Sequence, residues 1–132
     1  MQMPKMSPIK LVMLSVSGAL GTLARYGLSN LARVSFKNAN FPWPTLLVNV
    51  LGSFFFGVVF ALVRQKNLIS EETSFYVLTG FMGAFTTFST FIFETGKLYK
   101  QYGVMWASAN IALEILLGIF FLYLGYSIGK SI

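Results

Sequence analysis

Four apolar stretches divide this chain, roughly Lys10 to Arg33, Trp43 to Val63, Ser74 to Gly96 and Val104 to Ile128, and most charged residues lie between or just beyond them. Each is close to the ~20 residues a helix needs to cross the hydrocarbon of a bilayer. The pattern therefore predicts an all-α membrane protein, a single four-helix transmembrane domain over residues 1–132. The first stretch continues past any short apolar signal-peptide core and runs through Gly18 to Leu23 into Ala24-Arg25-Tyr26 without a polar mature sequence, so it reads as a retained span.

The third stretch carries a run that an ordinary lipid-facing helix has no use for: Gly80-Phe81-Met82-Gly83-Ala84-Phe85-Thr86-Thr87-Phe88-Ser89-Thr90-Phe91. Glycines weaken a helix and hydroxyls compete for its carbonyls, and irregular backbone is tolerated at membrane depth only where it is buried in protein or lines a cavity. The run predicts a third helix broken mid-membrane at an ion site. If the helix unwinds near Gly83, the main-chain carbonyls of Gly83 to Thr86 become free to coordinate a hard cation, and the half-helix ends carry opposite partial charges. Phe88 and Phe91 are three residues apart and share a face if the helix resumes. Aromatic rings present positive edges, against which a small dehydrated anion fits, helped by the hydroxyls of Thr87, Ser89 or Thr90. The same phenylalanines also suit lipid-facing or packing roles.

Polar groups inside a membrane are costly and usually face an interior. Besides the Thr86 to Thr90 cluster they are Arg25, Asn49, Glu94, Asn110 and Glu114. Arg25 either snorkels to the interface or attracts anions at a pore mouth. Asn49 either glues helices together or offers its two N–H donors to an anion. Asn110 and Glu114 are four residues apart and share a helix face, and either Glu94 or Glu114 fits a proton site or a paired structural acid.

Composition narrows the chemistry. Hydrophobic residues make up 55% of the chain and charged residues 11%, with a mean hydropathy of +0.69, outside the range of soluble domains. With no Cys and no His, disulfides, thiolate metal sites and the commonest metal ligand and general base are absent, so no enzyme is expected. The net charge of +6 comes from ten basic residues spread over every loop and end, which suits flanking anchors in a lipid bilayer rather than a nucleic-acid patch. With four spans, one side collects Lys5, Lys10, Arg64, Lys66 and Lys130 and the other Arg33, Lys37, Lys97 and Lys100, five against four. Because the Lys/Arg bias sets orientation, this near tie allows both orientations and hence an antiparallel dimer. Balanced loops are equally compatible with a monomer or a parallel oligomer. The small-xxx-small pairs Ser17/Gly21, Gly18/Thr22, Ser53/Gly57 and Gly125/Gly129 favour close helix packing, most simply within one subunit.

Three motifs resemble those of the small bacterial fluoride channels of the Fluc or CrcB family, along nearly the whole chain. They are Gly18-Ala-Leu-Gly21-Thr-Leu-Ala-Arg25-Tyr26, Thr45-Leu-Leu-Val-Asn49-Val-Leu-Gly52-Ser53-Phe-Phe-Phe-Gly57, and Gly80-Phe-Met-Gly83-Ala-Phe-Thr86-Thr-Phe88-Ser-Thr-Phe91. The last is the most specific. The resemblance implies an antiparallel, dual-topology dimer in the bacterial inner membrane, with two fluoride pathways and a central structural sodium held by the carbonyls of Gly83 and Thr86. It further implies that Phe88 and Phe91 contact fluoride, that Asn49 is an amide donor, with Thr87 and Ser89 beside them, and that Arg25 is a vestibule or structural cation. Such channels let cytoplasmic fluoride leak out passively and so confer resistance.

The fourth span departs from the family's usual pattern. Where a run of hydroxyl residues is expected to line the pathway, this chain has Ser108, Asn110, Glu114 and glycines. An anionic Glu114 would repel fluoride unless protonated, turned away or paired with a cation, and the departure also fits a chain that works with a second, related subunit. Two other classes remain: a proton-coupled exporter of small cationic drugs, in which Glu94 or Glu114 titrates, and a non-transporting membrane subunit.

Overall fold

A computed structural model describes residues 7–37 and 39–132; Lys5, counted above among the flanking charges, lies outside them. Helix α1 runs over Pro8–Ser35, α2 over Trp43–Arg64, α3 over Glu71–Phe75, α4 over Gly83–Phe85, α5 over Phe88–Tyr102 and α6 over Val104–Ser131, with a π-helical stretch, Tyr76–Met82, joining α3 to α4. Four spans are long and apolar enough to cross a membrane: α1, α2, the composite span Glu71–Tyr102, and α6. Proline in the first turn of α1 and of α2 is placed where its missing N–H costs nothing.

The α5–α6 connection is a single residue. Gly103 has φ +86, a left-handed conformation that side chains rarely adopt, so the chain reverses at once and α6 returns alongside α5. At the opposite end Ser70 caps α3 by accepting from the Thr73 N–H at 3.1 Å. Two ion pairs join helices there: Lys10 at the start of α1 meets Glu72 at 2.9 Å, and Arg64 at the end of α2 meets Glu71 at 3.2 Å.

The interior is built around α2, which packs most extensively on α6. Backbone approaches backbone there: a β-carbon on Gly57 would strike the Leu122 carbonyl, and one on Gly125 the Phe54 carbonyl. The small residues of α2 and α6 thus pack within one chain. On the other side, α1 lies against the π-helical stretch, where Gly21 faces the Phe81 carbonyl and the Ser17 hydroxyl donates to the Tyr76 carbonyl at 2.6 Å. A carbonyl drawn to a neighbouring hydroxyl is one cause of a local departure from α-helical bonding. Val48, Leu78, Met82 and Phe85 form the core between these layers, while α1 and α6 expose apolar side chains outward, as lipid contact requires.

Gly125→Ala sets a methyl group against a backbone carbonyl and is expected to cost about 1–3 kcal/mol in reversible unfolding from detergent micelles. Gly27, which faces open space, is expected to accept alanine without loss. Equal midpoints for the two variants would show that the α2–α6 approach is not a constraint.

Candidate functional site: a clamped backbone beside an aromatic cavity

The composite third span leaves helical geometry at two residues. Gly83 keeps helical dihedrals, φ −61 and ψ −34, so unwinding does not occur at Gly83 itself. Thr86 (φ −81, ψ 160) and Thr87 (φ −148, ψ 107) are extended, and α5 begins afresh at Phe88. The reason for this placement lies on α2. Asn49 Oδ1 accepts the Thr87 N–H at 2.8 Å, and Asn49 Nδ2 donates to the Thr87 carbonyl at 3.3 Å. One carboxamide therefore satisfies both main-chain groups of the residue that has left the helix. Gly52, one turn further along α2, keeps the approach open, since a β-carbon there would strike the Thr86 methyl.

Local hydroxyls complete the accounting. Thr86 Oγ1 donates to the Met82 carbonyl at 3.0 Å, and Thr87 Oγ1 caps α5 by accepting the Thr90 N–H at 3.3 Å while donating to Thr90 Oγ1 at 2.9 Å. Two carbonyls lose their usual partners as a result. In an uninterrupted helix the Thr87 N–H would bond to the Gly83 carbonyl and the Thr90 N–H to the Thr86 carbonyl; here those donors go to Asn49 and to Thr87 Oγ1.

The second N–H of Asn49 reaches the fourth span, donating to Glu114 Oε2 at 3.1 Å. Only this orientation of the amide serves all three partners, because its oxygen must meet an N–H and its nitrogen two acceptors. Both donors of Nδ2 are thus occupied by protein. One turn earlier on α6, fully buried Asn110 donates from Nδ2 to Thr95 Oγ1 on α5 at 2.8 Å, and Thr95 Oγ1 donates to the Phe91 carbonyl at 2.8 Å.

A cavity of about 490 Å³ lies against this assembly, lined by Asn49, Thr86, Thr87, Phe88, Phe91 and Glu114 among others. The two phenylalanine rings lie 5.7 Å apart and are tilted by 56°. They do not share an environment: Phe91 is 7% exposed and Phe88 74%. A second cavity, about 190 Å³, is lined by Asn40, Glu94, Lys97 and Gln101 among others. The structure thus brings together Asn49, Thr87, Phe88 and Phe91. Ser89 is exposed on α5, and Arg25 sits apart, half-buried on α1, without an ion pair among the described residues. Among the described residues, no group of His, Cys, Asp or Glu is arranged to hold a metal.

Sequence reasoning did not find the Asn49–Glu114 or Asn110–Thr95 pairs. The signal available was the spacing of Asn110 and Glu114, which fixes a shared face but not the helix it meets.

The family model described as CrcB-like protein, Camphor Resistance (CrcB), matches residues 12–126. The chain belongs to the CrcB family. It is 44% identical over 123 residues to a protein named fluoride-specific ion channel FluC from Solidesulfovibrio magneticus, covering 93% of this chain and 98% of that one. The FluC of Nitrosococcus oceani matches with the same identity and coverage, and that of Desulforapulum autotrophicum is 42% identical over 123 residues, again 93% and 98% of the two chains. The CrcB match takes in every site residue described above. With four spans of membrane-crossing length, this CrcB-family chain is a multi-pass integral membrane protein.

Asn49→Leu leaves the N–H and carbonyl of Thr87 without partners, at a cost of about 1–3 kcal/mol for each buried group. The expected outcome is a lowered unfolding midpoint in detergent together with faster amide hydrogen exchange at Thr87. Unchanged exchange at Thr87 would sink the clamp.

Proposed function

We propose that this protein is a fluoride-selective passive ion channel that carries cytoplasmic fluoride out across the bacterial inner membrane and is not an enzyme. The observation that carries the reading is the cavity in which Phe88 and Phe91 stand beside the hydroxyl-rich break, in a chain whose relatives are named fluoride-specific ion channels. Ring edges are weakly positive and hydroxyls donate hydrogen bonds, so together they replace part of a small anion's hydration shell without a fixed charge to trap it. Thr86 and Thr87 line the cavity, with Thr90 bonded to Thr87 and Ser89 exposed further along α5. Asn49 acts chiefly by holding Thr87 in place, and Arg25 contributes a positive potential at a pathway entrance. A drug exporter or a structural subunit gives no reason for this aromatic and hydroxyl arrangement.

In this reading the working unit is an antiparallel, dual-topology pair of chains, with a second copy or a related subunit as partner. The near tie of flanking charges supports it, as does the strong exposure of Phe88 in the single chain. The break in the third span then lies mid-membrane at the two-fold axis. The carbonyls of Gly83 and Thr86, each deprived of its helical donor, have the right chemistry for a small hard cation, and two chains offer four such oxygens. Sodium bound there would supply a fixed positive charge joining the two breaks. In this chain Asn49 and Thr87 Oγ1 keep those carbonyls free.

Purified protein in liposomes, with valinomycin controlling charge compensation, is expected to give electrogenic fluoride efflux with chloride excluded. Replacing Phe88 and Phe91 together by isoleucine is expected to abolish that efflux while leaving the assembled species unchanged in size. Undiminished flux in the double variant would overturn the pathway, and flux dependent on a proton gradient and an organic cation would favour an exporter.

A further inference from the structure

The composite third span departs from α-helical bonding before it reaches the break. Over Tyr76–Met82 it is π-helical, and the Gly83 N–H that follows is shared between the carbonyls of Gly80 and Leu78, three and five residues back, where an α-helix would bring it to Thr79, four back. By Thr86 the α-helical pattern has returned, its N–H meeting the Met82 carbonyl at 3.0 Å. A π-turn holds about one residue more than an α-turn. The third span therefore carries about one extra residue between its start and its break.

Both ends of that segment are fixed. At its start Ser74, Phe75 and Tyr76 are buried, Ser70 caps α3, and Glu71 and Glu72 meet Arg64 and Lys10. At its finish Asn49 holds both main-chain groups of Thr87. Were Tyr76–Met82 to close to an α-helix, every residue beyond it would advance by one position, a turn of about 100° and a rise of about 1.5 Å. Thr87 would then leave Asn49, and Phe88 and Phe91 would leave their places in the cavity wall.

One side chain outside the span opposes that closure. The hydroxyls of Ser15, Ser35, Ser53 and Ser131 each donate to the carbonyl four residues back in their own helix. Ser17 does not: its hydroxyl crosses from α1 to the Tyr76 carbonyl at 2.6 Å, at the first residue of the π-helical stretch. In an α-helix that carbonyl would accept from the Gly80 N–H. Gly80 is also the residue against which Ser17 is packed, since a β-carbon there would strike the serine side chain, and Gly21, one turn along α1, lies against the Phe81 carbonyl. The contact thus falls on the turn whose bonding is changed, and the hydroxyl supplies a donor from outside the span to the carbonyl at its head.

We propose that Ser17 is a positioning residue for the ion pathway: its bond to the Tyr76 carbonyl holds the extra residue of the third span in the π-helical stretch, and this sets the register at which Thr87, Phe88 and Phe91 reach the site. It rests on the fluoride-channel reading above for its consequence in transport, and on the Asn49 clamp for its consequence in structure. Ser17 touches neither the clamp nor the rings, and acts on them through the number of residues between two fixed ends.

The test uses the full-length protein, with amide hydrogen exchange in detergent and valinomycin-controlled fluoride efflux from liposomes. Ser17→Ala is expected to speed exchange at Thr87 by about tenfold and to lower fluoride efflux by about tenfold. Deleting Thr79, an exposed residue within the π-helical stretch, is expected to close the stretch to an α-helix without moving either end. That chain keeps efflux within about twofold of native, and adding Ser17→Ala to it changes efflux by no more than about twofold. Deleting Ile92, equally exposed but within the regular turns of α5, is expected to abolish efflux. If Ser17→Ala alone fails to assemble, recovery of assembly on deleting Thr79 supports the proposal and continued failure overturns it. Native exchange at Thr87 in Ser17→Ala overturns it, as does a Thr79 deletion tolerated no better than that of Ile92, or a Ser17→Ala loss of the same size with Thr79 present and absent. Absence of fluoride efflux from the native protein overturns the channel reading instead, and exchange at Thr87 then still decides the role of Ser17.

Discussion

A backbone cannot leave helical geometry inside a bilayer unless something takes over the hydrogen bonds it gives up, since no water is present to do so. In this protein one side chain does it. Asn49 accepts the N–H and donates to the carbonyl of Thr87, presenting to an isolated peptide unit the same pair of groups that a neighbouring strand would present. Leucine at that position would fill the space and leave both groups stranded. A carboxylate would accept the N–H but meet the Thr87 carbonyl and Glu114 as a third acceptor. The amide alone matches a donor on one side and two acceptors on the other.

The rest of the third span follows from that clamp. Because α2 comes close enough for Asn49 to reach Thr87, position 52 has no room for a side chain. Because Thr87 is extended, its hydroxyl is placed to cap α5, which starts at Phe88 and carries Phe88 and Phe91 to the cavity wall. The donors that the carbonyls of Gly83 and Thr86 would meet in an uninterrupted helix are thereby diverted. One amide thus ties the extended backbone of the break to the helix that carries the aromatic wall of the cavity. Backbone contact through Gly57 and Gly125 keeps α6 tight on α2, which brings Glu114 to the second donor of the same amide.

Much of this was legible in the order of residues, and what was not has a physical reason. The spans were readable because apolar runs of membrane length have few alternative explanations in so hydropathic a chain. The Gly80 to Phe91 run was readable as irregular because glycine and hydroxyl residues weaken a helix wherever they stand. The position of the extended residues was misplaced toward Gly83, since local propensity points to the glycine whereas the geometry is set by a partner 38 positions away along the chain. The same limit applies to Asn49, which reads as a free donor until the helix opposite is known. The spacing of Asn110 and Glu114 gave their shared face but could not reveal that Thr95 and Asn49 stand across from them, because helix register between spans is fixed by packing and not by either sequence alone.

A pathway that binds an anion too well does not conduct it. None of the described residues lining the larger cavity is basic; its polar lining is Asn49, Ser53, Thr86, Thr87 and Glu114, beside the rings of Phe88 and Phe91. Basic side chains stand away from it, Lys97 at the second cavity and Arg25 on α1. In the channel reading proposed above, that division suits transport: positive charge away from the cavity raises the local concentration of an anion, while a wall without fixed positive charge holds no deep well for it.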